Sequence, residues 1–305
     1  MPIVRLLELV YDENMLSRLG FLRGLHRVLS LGGLVAACGV VIACATNPYT
    51  QRSQFLLISE TQEAQLGAQA YAQVLQNPKV KISQNAREIE PVKRVAARLI
   101  EAAKASRYAE AARQFDWEVT VIKDDKTANA FALPGGKIAV YTGIFPIAKT
   151  EAGLAVVLGH EMTHALARHG AERVSQDIVA QGGLLLANVA LASQGVSPQV
   201  ADLVMLSGGL LADYGIILPF SRSHESEADY IGLLLTAQAG YDPREALKVW
   251  EQMEQASKGQ PPEFMSTHPS HGTRIKQLQG WMPEALTHYS PRPGSQTTLP
   301  PVSSR

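Results

Sequence analysis

Polar and apolar positions recur at helical spacing over most of the chain. Ser59 with Gln62 three positions on forms a capping box and predicts a helix through about Gln76, broken by Asn77-Pro78. Val92, Val95 and Leu99 mark one face of a second helix predicted over 88–105. Residues 115–122 read as a strand in which Trp117, Val119 and Val121 alternate only partly with polar neighbours. Two short β-like runs, 129–133 and 137–141, flank Pro134-Gly135-Gly136, a turn signal. Leu154, Val157 and Leu158 predict the packing face of a helix over 149–169, with Gly170 as its stop. A Gly-rich apolar stretch, 178–220, is cut by Ser193-Gln194-Gly195 and Ser197-Pro198, so no piece of it is long enough to span a bilayer. It predicts two apolar helices packed over the site region. A further helix over 223–239 stops at Gly240, and Asp242-Pro243 with Glu245 opens the next. The pattern is that of an α+β fold, mainly α, with a small β-sheet.

Composition narrows the function. The chain has 305 residues, 46% hydrophobic and 18% charged, with a formal net charge of zero and no long run of one sign. Binding to nucleic acid or steering of strongly charged ligands has no support in this balance. The two cysteines, Cys38 and Cys44, lie near the N-terminus, which excludes a disulfide framework and leaves histidine and carboxylate for any metal site. Arg18, Arg23 and Arg27 precede an apolar segment over 28–43, the order of a secretion signal, with Met15 as an alternative start. Val41-Ile42-Ala43-Cys44 resembles a bacterial lipobox, which implies a lipid on Cys44 and membrane attachment through it. Ala45 rather than aspartate implies sorting to the outer membrane, facing the periplasm of a Gram-negative cell. The other reading of the segment is a simple membrane anchor. The expected organisation is a signal peptide over 1–43, a linker over 44–58, a main folded domain over 59–285 and a disordered Pro/Ser-rich tail over 286–305.

The chemistry centres on His160-Glu161-Met162-Thr163-His164, the pattern H-E-x-x-H inside a predicted helix. Histidines at i and i+4 lie one above the other on a helix face, where one zinc ion can take both. The glutamate between them sits where it can take a proton from an attacking water. A third ligand is needed, and the segment Ser221-Arg222-Ser223-His224-Glu225-Ser226-Glu227-Ala228-Asp229 holds the candidates. Glu225 and Asp229 are i and i+4 on a predicted helix, so one can bind metal while the other orients a ligand histidine. Spacing alone favours Glu225 only slightly over Glu227, His224 or His169. Glu227, His169, His224, His271 and His288 have a plain reading as surface residues.

His160-Glu161-x-x-His164 followed by Glu225-x-Glu227-Ala228-Asp229 resembles the zinc metallopeptidases of the HtpX, CAAX-prenyl-protease and BepA type. Two further segments match in order. Asn129-Ala130-Phe131-Ala132-Leu133-Pro134-Gly135-Gly136 resembles the family's strand and turn before the metal helix. Thr267-His268-Pro269 with Arg274-Ile275 resembles its T-H-P-x-x-x-x-R-I segment. The resemblance implies a zincin-like domain with one Zn2+, held by His160, His164 and Glu225, with Glu161 as catalytic base and Asp229 behind the ligands. It implies that Asn129 to Gly136 forms an edge strand on which an extended substrate backbone docks, as strand addition allows. His268 falls near the metal, as an oxyanion stabiliser, a resting-state zinc ligand, or a histidine hydrogen-bonded in a turn. The expected activity is zinc-dependent endoproteolysis of misfolded or stalled envelope proteins. The competing class is a chaperone-like envelope factor with a sequestered zinc site.

Overall fold

The computed structural model describes residues 44–180, 220–257, 262–268 and 273–302. The expected signal segment and nearly all of the apolar stretch 178–220 fall outside the described residues. Strands β1 (Cys44–Thr46) and β2 (Ser53–Phe55) form an antiparallel hairpin. Helices α1 (Glu60–Gln76), α2 (Ala86–Lys104) and α3 (Ala109–Gln114) follow. Strands β3 (Glu118–Ile122), β4 (Ala130–Leu133) and β5 (Lys137–Tyr141) come next, then α4 (Phe145–Ala148) and α5 (Glu151–Leu166). After Arg168 the chain is helical again over 169–180. The order closes with α6 (Arg222–Gln238), α7 (Glu245–Ala256), α8 (Glu263–Thr267) and α9 (Arg274–Thr287). A mainly helical α+β domain with a small sheet is what the pattern predicts.

The sheet has the order β3-β5-β4, with β3 parallel and β4 antiparallel to β5. Side chains alternate across it, as the pleat requires. Ala130, Ile138 and Val140 face the main core, while Phe131, Ala139 and Tyr141 face α1 and pack with Tyr71. β4 is therefore an edge strand, and the turn after it uses Gly135 and Gly136 at φ 81° and 93°, a conformation that favours glycine. Gly67 of α1 lies so close to this turn that a Cβ there would stand 2.1 Å from the Pro134 carbonyl oxygen.

All sixteen residues of α5 are buried, which makes it the central helix rather than a surface one. Leu154, Leu158 and Met162 are fully enclosed, each contributing about 1.5–3 kcal/mol by burial. Thr150 caps its N-terminus by accepting from Gly153 N. Glu151, buried in the first turn, pairs with Arg94 at 2.6 Å. Helix α6 crosses α5 where two glycines meet: a Cβ on Gly232 would stand 2.8 Å from His160 N. That close approach sets the middle of α6 against the middle of α5.

Three expectations are corrected here. The segment 286–305, expected to be disordered, is packed as far as residue 302. Thr297 O accepts from Glu151 N at 2.9 Å, Leu299 N donates to Lys149 O, and the Leu299 side chain is buried in the main core. The tail thus satisfies a donor at the start of α5 that the helix itself leaves open, a long-range role invisible in its composition. The break after α5 is at Arg168, not Gly170: Arg168 takes φ 58°, held by Glu63 at 2.7 Å and by the Ile58 carbonyl. Finally, Glu227, His169 and His224 are buried, not surface residues.

Candidate metal centre

Helix α5 carries His160, Glu161 and His164 within little more than one buried turn, and α6 carries Glu225 and Asp229 one turn apart. Ser221 caps α6 by accepting from His224 N, which sets the first turn on which Glu225 lies. His268 arrives from the end of α8, where its N–H donates to Phe264 O. These elements bring His160, His164, Glu225 and His268 together, with one ligating atom of each within 4.8 Å of the others. All four are buried.

The spacing of the donors fits a small tetrahedral ion. Ligands about 2.1 Å from such a centre stand about 3.4 Å from one another. The Nε2 atoms of His160 and His164 are 3.1 Å apart, and each lies 3.5 Å from a Glu225 oxygen. His268 Nδ1 lies 3.2 Å from His160 Nε2 and 3.0 Å from Glu225 Oε1. The set is two or three imidazoles and one carboxylate, a donor chemistry that suits zinc.

The second ring of contacts explains the tautomers. His160 Nδ1 donates to Asp229 Oδ1 at 2.9 Å, which leaves the Nε2 lone pair for the centre. Arg274 ties the acidic side together: its Nη2 donates to Glu225 at 2.7 Å, its Nε to Asp229, and its guanidinium lies 3.6 Å over the Trp250 ring. Burial opposes charge on His160, but the Asp229 and Glu225 carboxylates outweigh it and hold its pKa up at about 9, so a metal displaces a proton there. Burial also works against ionised Glu225, yet hydrogen bonds from His160 and His268 hold it far below the ordinary carboxylate range. Burial raises the pKa of Glu161. Among the described residues its Oε1 is buried with no hydrogen-bond partner, 3.3 Å from His268 Nε2 without hydrogen-bond alignment. A buried acceptor left open beside the donor cluster is where a proton acceptor for an attacking water belongs.

A cavity of about 350 Å³ opens against this cluster. Glu161, His164 and His268 line it beside the cluster, β4 with its flanking Asn129 and Pro134 lines one side, and Leu66, Ala70 and Val174 are among the other lining residues. Gly135 and Gly136 of the expected docking segment belong to the turn and do not line it. Phe220 stacks on His164 with ring centroids 4.0 Å apart. Sequence reasoning missed Phe220 and Trp250. It also missed Glu172, and Thr50 and Arg52, which reach the back of the site from far away in the chain. No local spacing signals a contact between Arg52 and Glu227, 175 positions apart.

An extended edge strand, a buried H-E-x-x-H helix and a carboxylate from a second helix define a metallopeptidase domain. Residues 86–282 match Peptidase family M48, and the chain belongs to that family of zinc metallopeptidases. It is similar to the mitochondrial metalloendopeptidase OMA1 of Schizosaccharomyces pombe, 44% identical over 171 residues covering 55% of this chain and 48% of that one. The Saccharomyces cerevisiae protein of the same name is 34% identical over 254 residues, 79% of this chain and 70% of that one. The putative beta-barrel assembly-enhancing protease of Vibrio cholerae is 32% identical over 162 residues, 50% of this chain and 32% of that one. The chain spans about half the length of the curated relatives it matches. The expectation of the outer membrane and periplasm of a Gram-negative cell is overturned: the two relatives with the higher coverage are mitochondrial. The lipobox reading rested on four residues, too short a signal to fix a compartment. Cys44 itself begins β1, and no helix among the described residues is long and apolar enough to cross a membrane.

Proposed function

We propose that the chain is a zinc-dependent endopeptidase acting on extended, unfolded segments of polypeptide. The carrying observation is the open Oε1 of Glu161, buried between the donor cluster and a cavity walled by an edge strand. His160, His164 and Glu225 would hold a zinc ion, which would supply Lewis-acid polarisation of a carbonyl and activation of water. The chain's own groups do the rest. The outer edge of β4, unpaired among the described residues, pairs with substrate backbone and holds it extended without reading side chains. The apolar walls of the cavity take a hydrophobic substrate side chain and exclude water from the reacting bond. Glu161, its pKa raised by burial, accepts the proton of the attacking water and passes it to the leaving amine. Asp229 keeps His160 in the ligating tautomer, and Arg274 keeps Glu225 and Asp229 in register.

His268 completes a four-donor set, which is the arrangement of a shut site. We read it as the resting state, with activity requiring withdrawal of His268. A misfolded or stalled protein, rich in extended apolar segments, is the substrate class that suits the edge strand and cavity. The apolar segment over 28–43 would hold the domain at a membrane. The test is digestion of a denatured protein by the full chain, with cleavage sites mapped by mass spectrometry. Cuts beside large apolar residues, abolished by a chelator and restored by zinc, are expected. Cleavage insensitive to chelation would refute the reading.

A further inference from the structure

The two histidines of the H-E-x-x-H motif are oriented by different devices. His160 leans directly on a carboxylate, Asp229. Among the described residues no carboxylate stands at His164 Nδ1; a third imidazole stands there instead. His169 Nδ1 lies 2.9 Å from His164 Nδ1. On the far side of that ring, His169 Nε2 lies 2.9 Å from Glu227 Oε2. The positive φ at Arg168 turns the chain back so that His169, five residues beyond His164, meets it ring to ring.

Hydrogen accounting decides which nitrogen carries which proton. Arg52 donates to Glu227 Oε2 from Nη2 at 2.8 Å and from Nε at 3.1 Å, and the Thr50 hydroxyl donates to Oε1. Glu227 is thus an ionised acceptor, and His169 must present Nε2–H to it. His164 turns its Nε2 to the donor cluster, so His169, with Nε2–H on Glu227, meets it as a neutral ring with its lone pair on Nδ1. One hydrogen must lie between the two Nδ1 atoms, so it belongs to His164. The lone pair of His164 then sits on Nε2, aimed at His160 Nε2 and Glu225.

We infer that His169 and Glu227 are positioning residues for His164, a relay that fixes the ligating tautomer of that histidine and is anchored by Arg52 of the N-terminal hairpin. This rests on the proposed zinc site. Arg52 also holds Glu172 through two hydrogen bonds at 2.7 and 2.8 Å, and Glu172 accepts from His224 Nε2 at 3.0 Å. The hairpin between β1 and β2 is therefore built into the back of the metal centre, and the linker expected over 44–58 has a function of its own. The second glutamate of Glu225-x-Glu227 gains a role that its neighbour's role does not predict: one faces the metal, the other faces the histidine relay.

The test uses the full chain with 15N-labelled histidine, freed of zinc by chelation. The His164 ring, assigned by comparison with His164→Gln, is expected to show hydrogen on Nδ1 and none on Nε2. Zinc affinity is then measured by competition with a chromophoric chelator. His169→Phe removes the acceptor and is expected to weaken zinc binding by about 10- to 100-fold, the usual effect of losing a partner behind a metal ligand. His169→Asn places an oxygen near the lost Nδ1 and is expected to recover affinity to within about threefold of the unsubstituted chain. Hydrogen on His164 Nε2 in the unsubstituted protein would overturn the inference, whether or not the variants fold. So would unchanged affinity in His169→Phe, or an Asn variant as weak as the Phe one. Failure of the unsubstituted chain to bind zinc would instead refute the proposed function, while the tautomer measurement still reads the relay.

Discussion

Gly232→Ala is the substitution that most sharply connects packing to the metal centre. The added Cβ would stand 2.8 Å from His160 N, 2.9 Å from Gly159 C and 3.0 Å from Gly159 O, all rigid backbone of the central helix. Ordinary contact begins near 3.4 Å, so α5 and α6 must separate by about 0.6 Å at this point. The bond from His160 Nδ1 to Asp229, now 2.9 Å, spans the same interface and would stretch to about 3.5 Å, beyond useful length. Two stability effects oppose each other. Alanine in place of helical glycine gains about 1 kcal/mol, while overpacking costs about 1–3 kcal/mol. Gly280→Ala in α9 is the matched control, because a Cβ there meets nothing within 4 Å. The control is expected to raise Tm by about 2–4 °C, and Gly232→Ala to leave it unchanged or lower it by up to about twice that. Zinc affinity, measured by chelator competition, is expected to fall about tenfold in Gly232→Ala and to hold in the control. Equal Tm gains and equal zinc affinity in both variants would refute the reasoning, since the helix crossing would then have slack that the geometry denies it.

Glu225→Ala is expected to lose zinc by more than about 100-fold and Glu227→Ala by about tenfold, read by the same titration; the reverse order would put the third ligand at the wrong residue. His268→Ala is expected to keep zinc and to raise basal cleavage of a denatured substrate, because it removes the fourth donor of the resting set. In the zinc-free protein, stability is expected to fall as pH drops from 6.5 to about 4. There the unfolded chain protonates His169 and the folded one does not, so the unfolded state binds more protons. The slope from this group is at most about 1.4 kcal/mol per pH unit. Thermal melts against pH should show the dependence, flattened in His169→Asn.

The helices were legible wherever period and caps agreed. Ser59 with Gln62 forms the capping box that its spacing implies, and the pair of β-runs around Pro134-Gly135-Gly136 is the hairpin that places an edge strand by the site. Those are local interactions, decided within four or five residues. The ligand cluster was legible because i, i+4 spacing is also local on each helix. What escaped is held by distance: Thr297 completing the start of α5, and Arg52 reaching Glu172 and Glu227 across 120 and 175 positions. A charged residue reads as surface until its partner is known, which is why Glu227, His169 and His224 were misread together. Each is buried because the others are.

The central claim is that Glu161 does chemistry on water beside a zinc ion held by others. The direct measurement is zinc content and peptide turnover on one preparation of Glu161→Gln, alongside the unsubstituted chain. One zinc per chain in both proteins is expected, with turnover only in the unsubstituted one and lost there on chelation. A Glu161→Gln protein that still cleaves, or that loses its zinc along with its activity, would contradict the assignment of Glu161 as base and of His160, His164 and Glu225 as ligands.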